Sequence, residues 1–520
     1  MIFVRWWSMP LDPRTPVLIG QGQALDRSTS PGDTRHPVAL MAEALAAAAS
    51  DAGIAIPREV DSIRVVRLLS WKYANAAHAL GALSGMTARE YATTPHGGNM
   101  PQTLVNLTAG QILRGECDFV VLAGGECSRS RSMFKDTSAL PWPSPDTTTS
   151  TPGSSGTTGE REPAPAHIVD DLALLSDEEI RLGIVLPIQV YPMFESALRA
   201  AANRSVEQHD QRIAALWSRF SAVAARNPFA WSAETLTPRQ VVEVSPNNRM
   251  IGTPYRKVMN SNNQVNMAAS LIMCSAERAD ALGVPRDRWV FPVSGTDCHE
   301  HQFISNRWSF ADTPAVRRGG ELALSLAGLT MSDIALVDLY SCFPSAVQLG
   351  AASLGLESSL NDDETARPLT LTGGLSFAGG PWNNYVMHAI ATAMSRLRES
   401  AGDHAFIWAN GGYATKHAFG IYATTPPKRA FQHESPQAEI DALPKRELAL
   451  GDDAAGSASI EAFTVMHDRD GTPERFIAAG LRDDGRRVWM VSDDRSVAAS
   501  FAAGEHVGDT VTLRRSGELA

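Results

Sequence analysis

Cysteine is scarce in this chain: Cys117, Cys127, Cys274, Cys298 and Cys342 among 520 residues, odd in number and nowhere in C-x-x-C spacing. That excludes a disulfide framework and a structural zinc site, and it predicts a reducing compartment. No apolar run approaches the roughly 20 residues of a membrane-spanning helix. The opening MIFVRWWSMP breaks at Pro10, too short for a secretion signal, so a cytoplasmic location is expected. An excess of positive charge is also missing. Lys plus Arg number 46 against 57 Asp plus Glu, a net charge of −11, which argues against nucleic acid or an anionic membrane as partner. What is present is ordinary for a globular protein, with 44% hydrophobic and 20% charged residues. The length suits about three structural units at roughly 150 residues each.

Two stretches interrupt the folded pattern. Residues 137–167, TSALPWPSPDTTTSTPGSSGTTGEREPAPAH, are rich in Pro, Ser, Thr and Gly and read as a mobile excursion or linker. Residues 426–458 read as a linker before a last small domain. Between Thr15 and Ser128, strands (PVLIGQG, DSIRVVRLL, CDFVVLAGG) alternate with an Ala-rich helix closed by Gly53. The half from 251 to 425 repeats the theme with ELALSLAGL, IALVDLY, HAIATAMSRLR and HAFIWANGG. Such alternation predicts an α/β fold with mostly parallel sheets, in two related halves. Residues 168–250 read as a mainly helical insertion into the first half, which otherwise spans 1–136. The tail, 459–520, is a run of short strands with DRDG and DDGR turns, a small β-rich, OB-like barrel. It carries eight Arg, no Lys and eleven acidic residues, a poor surface for nucleic acid.

Residues 96–115, HGGNMPQTLVNLTAGQILRG, have the build of a nucleophile turn. A glycine bend leads into a helix, with Asn99 as a candidate cap and Pro101 in the first turn. An apolar strand, VVLAGGECS, follows. Together with AGLTMSDIALVDLYSCFPSA, GGLSFAGGP and ANGG, in that order, this resembles the thiolase superfamily. With the extra β-rich tail it resembles thiolase-like proteins of type 1, acetyl-CoA acetyltransferase-like proteins with an additional C-terminal domain. The resemblance, from about Pro16 to Tyr422, implies a five-layer αβαβα fold of two halves. It also implies a loop domain at 168–250 that helps hold coenzyme A, and a place in acyltransfer and lipid metabolism.

The catalytic letters depart from that pattern. In a thiolase, a Cys at the helix N-terminus takes an acyl group from CoA, a second Cys moves the α-proton, and a His stabilises the enolate. The resemblance places Gly98 at the nucleophile, Gly380 at the histidine of G-H-P and Ala409 at the cysteine of C-x-G. Tyr340 and Ser341 open the motif that elsewhere reads H-D-C-F. No acyl-enzyme forms at glycine. The backbone N–H groups of Gly98 and Gly411 stand where the family's oxyanion hole lies, and a backbone donor survives loss of the side chain.

The expected function is therefore binding of CoA or an acyl-CoA as ligand, with no tightly bound cofactor and no ordinary thiolysis. One alternative is a cysteine-independent retro-aldol or condensing enzyme on β-hydroxyacyl-CoA, using Tyr340 with His417, His388 or Tyr385. Steroid-degrading thiolase-like retro-aldolases also carry a Tyr at this motif position. The other alternative is a non-catalytic scaffold. Asn263 falls near where thiolases touch the pantetheine arm, and packing of its loop is an equal reading. His299 and His301, two residues apart without a third ligand in view, do not make a metal site, and Cys342 reads as a buried, non-reactive thiol. Monomer and homodimer are both open.

Overall fold

Strand β4 (Phe119–Cys127), FVVLAGGEC, is buried at every position, as a strand covered by helices on both faces must be. The same holds for β8 (Asn266–Ser275) and β12 (Lys416–Ala423), and these three strands mark the middle of two sheets. The computed structural model describes residues 11–134, 136–144, 163–361 and 366–520.

The first sheet runs β1-β8-β4-β2-β3-β5, with β1 (Pro16–Leu25), β2 (Glu59–Val65), β3 (Thr87–Thr93) and β5 (Ala166–His167). The second runs β10-β11-β12-β9-β13, with β9 (Phe291–His299), β10 (Leu336–Leu339), β11 (His404–Gly411) and β13 (Gln432–Glu434). Helices Met100–Leu113 and Tyr385–Glu399 touch each other and lie between the two sheets. Helix Pro37–Ala52 covers the outside of the first sheet and Pro314–Ala327 the outside of the second. The result is the five-layer αβαβα stack.

The sheets are mixed rather than mostly parallel. Strand β8 is antiparallel to β1 and β4, and β12 is antiparallel to β11 and β9. Only four residues join β11 to β12, enough for a hairpin and far too few for the crossover a parallel pair needs. The second half also begins later than 251, because β8 sits inside the first sheet.

Helices Pro187–Ala201 and Val206–Ala224 build the insertion. The 426–458 stretch does more than link. There β13 adds a parallel edge to β9, and a short helix, Gln437–Asp441, follows it. In the 137–167 stretch, Trp142 is buried edge-on against Trp71, at 4.9 Å between ring centroids, and donates to Thr34 Oγ1. Residues 145–162 lie outside the described residues.

The tail closes into a five-stranded barrel of β14 (Gly456–His467), β15 (Pro473–Leu481), β16 (Arg487–Ser492), β17 (Thr510–Arg515) and β18 (Gly517–Leu519). Pairing runs β14-β15-β16-β18-β17 and back to β14, with helix Arg495–Ala502 between β16 and β17, the order of an OB-type barrel. Its own core includes Ile460, Phe463, Val465, Phe476 and Met490. The sheet continues through Met466, paired with Gly252, into β6 (Met250–Gly252) and β7 (Tyr255–Arg256) of the insertion. Arg487 is fully buried at the seam. It donates to both oxygens of Glu461 and to the carbonyls of Ser305 (2.8 Å) and Arg307 (2.5 Å), and Trp489 Nε1 donates to Ser305 Oγ. Among the described residues no helix is long and apolar enough to cross a membrane.

Candidate active site

The glycine turn sits at the N-terminus of helix Met100–Leu113, between the two halves. Gly97 has φ +153°, backbone that side chains rarely adopt, and its N–H donates to Asn383 Oδ1 across the halves. The N–H groups of Gly98 and Asn99 donate to no acceptor among the described residues. They stand at the positive end of a 14-residue helix. Asn99 does not cap the helix through its side chain. Instead, Asn99 is helical in backbone, its carbonyl accepts from Gln102 and Thr103, and its buried Oδ1 is left without a partner.

The side-chain volume missing at Gly98 is filled from the other half. A Cβ built on Gly98 would lie 2.2 Å from the Tyr340 hydroxyl, 2.7 Å from Tyr340 Cζ and 2.5 Å from the Asn410 carbonyl. Tyr340 follows β10 directly, is 7% exposed, and its hydroxyl has no hydrogen-bond partner among the described residues. Burial pushes the Tyr340 phenol well above its ordinary value, with the Cys342 thiol adding to it. A phenol held in this way favours a donor role for Tyr340 over that of a base. It is a neutral O–H donor aimed at the turn.

The other replaced positions are filled too. A Cβ on Gly380 would lie 2.1 Å from Ser261 Oγ and 3.0 Å from Asn263 Oδ1. The Gly380 N–H donates to the Asn262 carbonyl, and Asn263 Oδ1 accepts from Ser261 Oγ. Asn263 thus belongs to the loop that closes over Gly380. Ala409 is fully buried opposite Ala418. A Cβ on Gly411 would lie 2.6 Å from Asn99 Oδ1 and 3.2 Å from the Gly98 nitrogen, so the two backbone positions expected to form the oxyanion hole do meet.

The three expected assistants of Tyr340 do not reach the turn. His417 Nδ1 accepts from Trp408 Nε1 at 3.3 Å. Trp408 in turn packs on Gly350 of helix Pro344–Ser353, so this face of β12 looks to the outer helices. Burial, then Arg307, holds the His417 imidazole neutral. His388 Nδ1 bonds Gln23 Oε1 on β1 at 2.8 Å, and burial pulls it down to about 3. The Tyr385 ring meets Tyr340 edge-on at 5.6 Å, but its hydroxyl is engaged by Thr372 (2.6 Å) and Asp338 (3.2 Å). Asp338 also accepts from Leu371 N and Thr370 Oγ1, and burial pushes it up to about 6. His299 Nδ1 meets the Glu300 carbonyl and His301 Nε2 those of Leu443 and Pro444. Burial pushes the Cys342 thiol up to about 12.

Sequence reasoning missed Lys416. Side chains alternate along a strand, so Lys416 faces opposite to His417, toward the glycine turn. Its Nζ donates to the His96 carbonyl and lies 3.7 Å from Asp171 Oδ1. A Cβ on Gly97 would be 3.3 Å from that nitrogen. The signal was present: one of six lysines in the chain, five residues after Gly411 in a hairpin.

Residues 436–518 match the model of the thiolase-like protein type 1 additional C-terminal domain. The solved structure of a monomeric SCP2-thiolase like protein type 1 from Mycobacterium smegmatis is 31% identical, covers 98% of each chain and superposes with a TM-score of 0.80. The Ltp2-ChsH2(DUF35) aldolase (18% identical, 79% of this chain and 98% of that one, TM-score 0.57) shares the fold. So does human mitochondrial 3-ketoacyl-CoA thiolase (15%, 80% and 100%, 0.54). No curated protein sequence matches the chain. The five-layer core, the fused barrel and the near-complete coverage together make this chain a member of the thiolase-like protein type 1 family.

Proposed function

We propose that this protein binds a coenzyme A thioester with its carbonyl oxygen at the Gly98 turn, and forms no acyl-enzyme on it. The observation that carries this reading is the exchange at the turn. The nucleophile's side-chain volume is taken by the Tyr340 hydroxyl, while the Gly98 and Asn99 amides keep no partner among the described residues. Two backbone N–H groups at a helix N-terminus and one neutral phenol favour an oxygen that carries negative charge. The Asn263 loop over Gly380 is suited to the pantetheine arm.

Such a site supports making or breaking a carbon–carbon bond beside the thioester, because an enolate needs donors at its oxygen and no covalent link to the protein. The absence of a Cys at residue 98 argues against thiolysis. Calorimetry with CoA, acetyl-CoA and acetoacetyl-CoA tests the binding. Intact mass spectrometry after acetoacetyl-CoA tests the chemistry. Binding heat with no added acyl mass is the expected result. No heat and no thermal shift at millimolar ligand would reject the reading in favour of a scaffold.

A further inference from the structure

We infer that Lys416 is a catalytic residue of this site, the group that takes a proton from the bound thioester and returns it. The inference rests on the CoA-thioester reading above and extends it. Lys416 is 6% exposed, on a strand otherwise made of apolar residues, His417 and glycine, and its carbon chain runs inward to the glycine turn. A structural lysine in such a place would carry a buried carboxylate partner. Among the described residues this one has only Asp171, itself half exposed, at 3.7 Å, and a backbone carbonyl.

Two polar side chains more than nine-tenths buried, Lys416 and Tyr340, therefore converge on Gly97 and Gly98 beside two free amides. Their chemistry is complementary. Burial keeps Tyr340 protonated, so it serves as a donor. Burial draws Lys416 down, with Asp171 opposing, which raises the fraction of free amine at neutral pH. The titratable and charged groups around Lys416 are Asp171, His96 with Arg67 behind it, and His299 opposite on β9.

On a thioester, the Lys416 amine takes a proton from the α-carbon. The C–H electron pair moves into the enolate, whose oxygen is held by the Gly98 and Asn99 amides and Tyr340. Return of the proton from the ammonium restores the thioester. On a β-hydroxyacyl thioester, the amine takes the hydroxyl proton, and the β-carbon becomes a ketone or aldehyde. The α–β bond breaks to the same enolate, and the ammonium protonates the α-carbon. One proton moves from oxygen to carbon, and no oxidant or further reactant is needed.

The test is exchange of the acetyl-CoA methyl hydrogens in D2O, followed by proton NMR, with 3-hydroxy-3-methylbutanoyl-CoA cleavage to acetone and acetyl-CoA as a second readout. Wild type is compared with Lys416→Met and Lys416→Arg, with CoA binding and melting temperature measured in parallel. Loss of about 100-fold or more in both variants is expected, since arginine keeps the charge but accepts no proton. The wild-type rate is expected to rise with pH and level off below the ordinary lysine range. Equal rates in wild type and variants overturn the assignment. So does a wild type that binds CoA yet exchanges nothing, which leaves the binding reading intact. Absence of CoA binding overturns both. If the variants fail to fold, the wild-type profile decides, and a flat one overturns the assignment.

Discussion

Restoring a side chain at residue 98 is the sharpest perturbation this structure offers. Gly98→Ala adds one methyl group where three atoms already stand at 2.2, 2.5 and 2.7 Å, all closer than a real Cβ tolerates. Two of them belong to Tyr340 and one is the Asn410 carbonyl, which moves only with β11. Overpacking of this kind costs about 1–3 kcal/mol. With unfolding entropy near 2 cal/mol/K per residue, a 520-residue chain changes stability by about 1 kcal/mol per degree, so the melting point should fall by about 1–3 °C. Tyr340→Ala alone removes a buried aromatic ring and should cost about 3–5 kcal/mol. It also removes two of the three clashes, so the double variant should lose less than the sum, with a coupling of about 1 kcal/mol or more. The assay is a thermal and urea double-mutant cycle. Zero coupling, or a Gly98→Ala protein as stable as wild type, would mean that Tyr340 does not occupy the seat.

Gly98→Cys should gain no acyl adduct on incubation with acetyl-CoA, checked by intact mass, because its sulfur would have to displace the Tyr340 phenol. Of the eight tyrosines, Tyr191, Tyr255, Tyr340, Tyr385 and Tyr422 are buried and shifted upward. A spectrophotometric titration to about pH 11 should therefore leave most of them un-ionised until the chain unfolds. Burial pushes Glu126 and Glu300 up to about 7 and Asp338 to about 6. Folding favours their protonated forms, so the stability linked to them is present below their unfolded values and lost as pH rises to about 7. The urea midpoint should fall more steeply between pH 4.5 and 7 in wild type than in Glu126→Gln, and parallel curves would refute this. Arg487→Met should cost about 3–5 kcal/mol by leaving Glu461 unpaired. Limited proteolysis would then report barrel release by faster cleavage between 424 and 459.

The readable parts of the sequence were those whose cause is local. FVVLAGG announces a covered strand because every residue of it is apolar or small, and the five layers came from the resemblance that the order of such runs carries. Relations across the chain left no such mark. A glycine at 98 reads as a loss, and only the fold brings the Tyr340 hydroxyl from the other half into its place. NMAASLIMCS forms β8, yet nothing local tells it to insert between β1 and β4. His417 stood out because histidine is the familiar proton carrier, but register along β12 turns it outward and turns Lys416 in. His388 Nδ1 and the Tyr385 hydroxyl are likewise turned to partners away from the glycines, Gln23 for the first and Thr372 and Asp338 for the second, while His388 Nε2 is buried without a partner among the described residues.

The pairing of β14 with β6 sets a timetable for making the protein. The Phe463 amide donates to Ser196 Oγ from 267 residues away, and helix Pro187–Ala201 packs its side against β14. At roughly 5–20 residues per second, the ribosome delivers that cover roughly 10–50 s after the helix itself. During that interval the helix shows an apolar flank, and β6 shows an open edge, to everything else in the cell. A chain interrupted before residue 456 would keep both. Such a fragment is a substrate for chaperones and proteases, and a partner for aggregation, however complete its two halves are. The barrel is thus part of the cover of the inserted helices, and its truncation should be read as a lesion of the core.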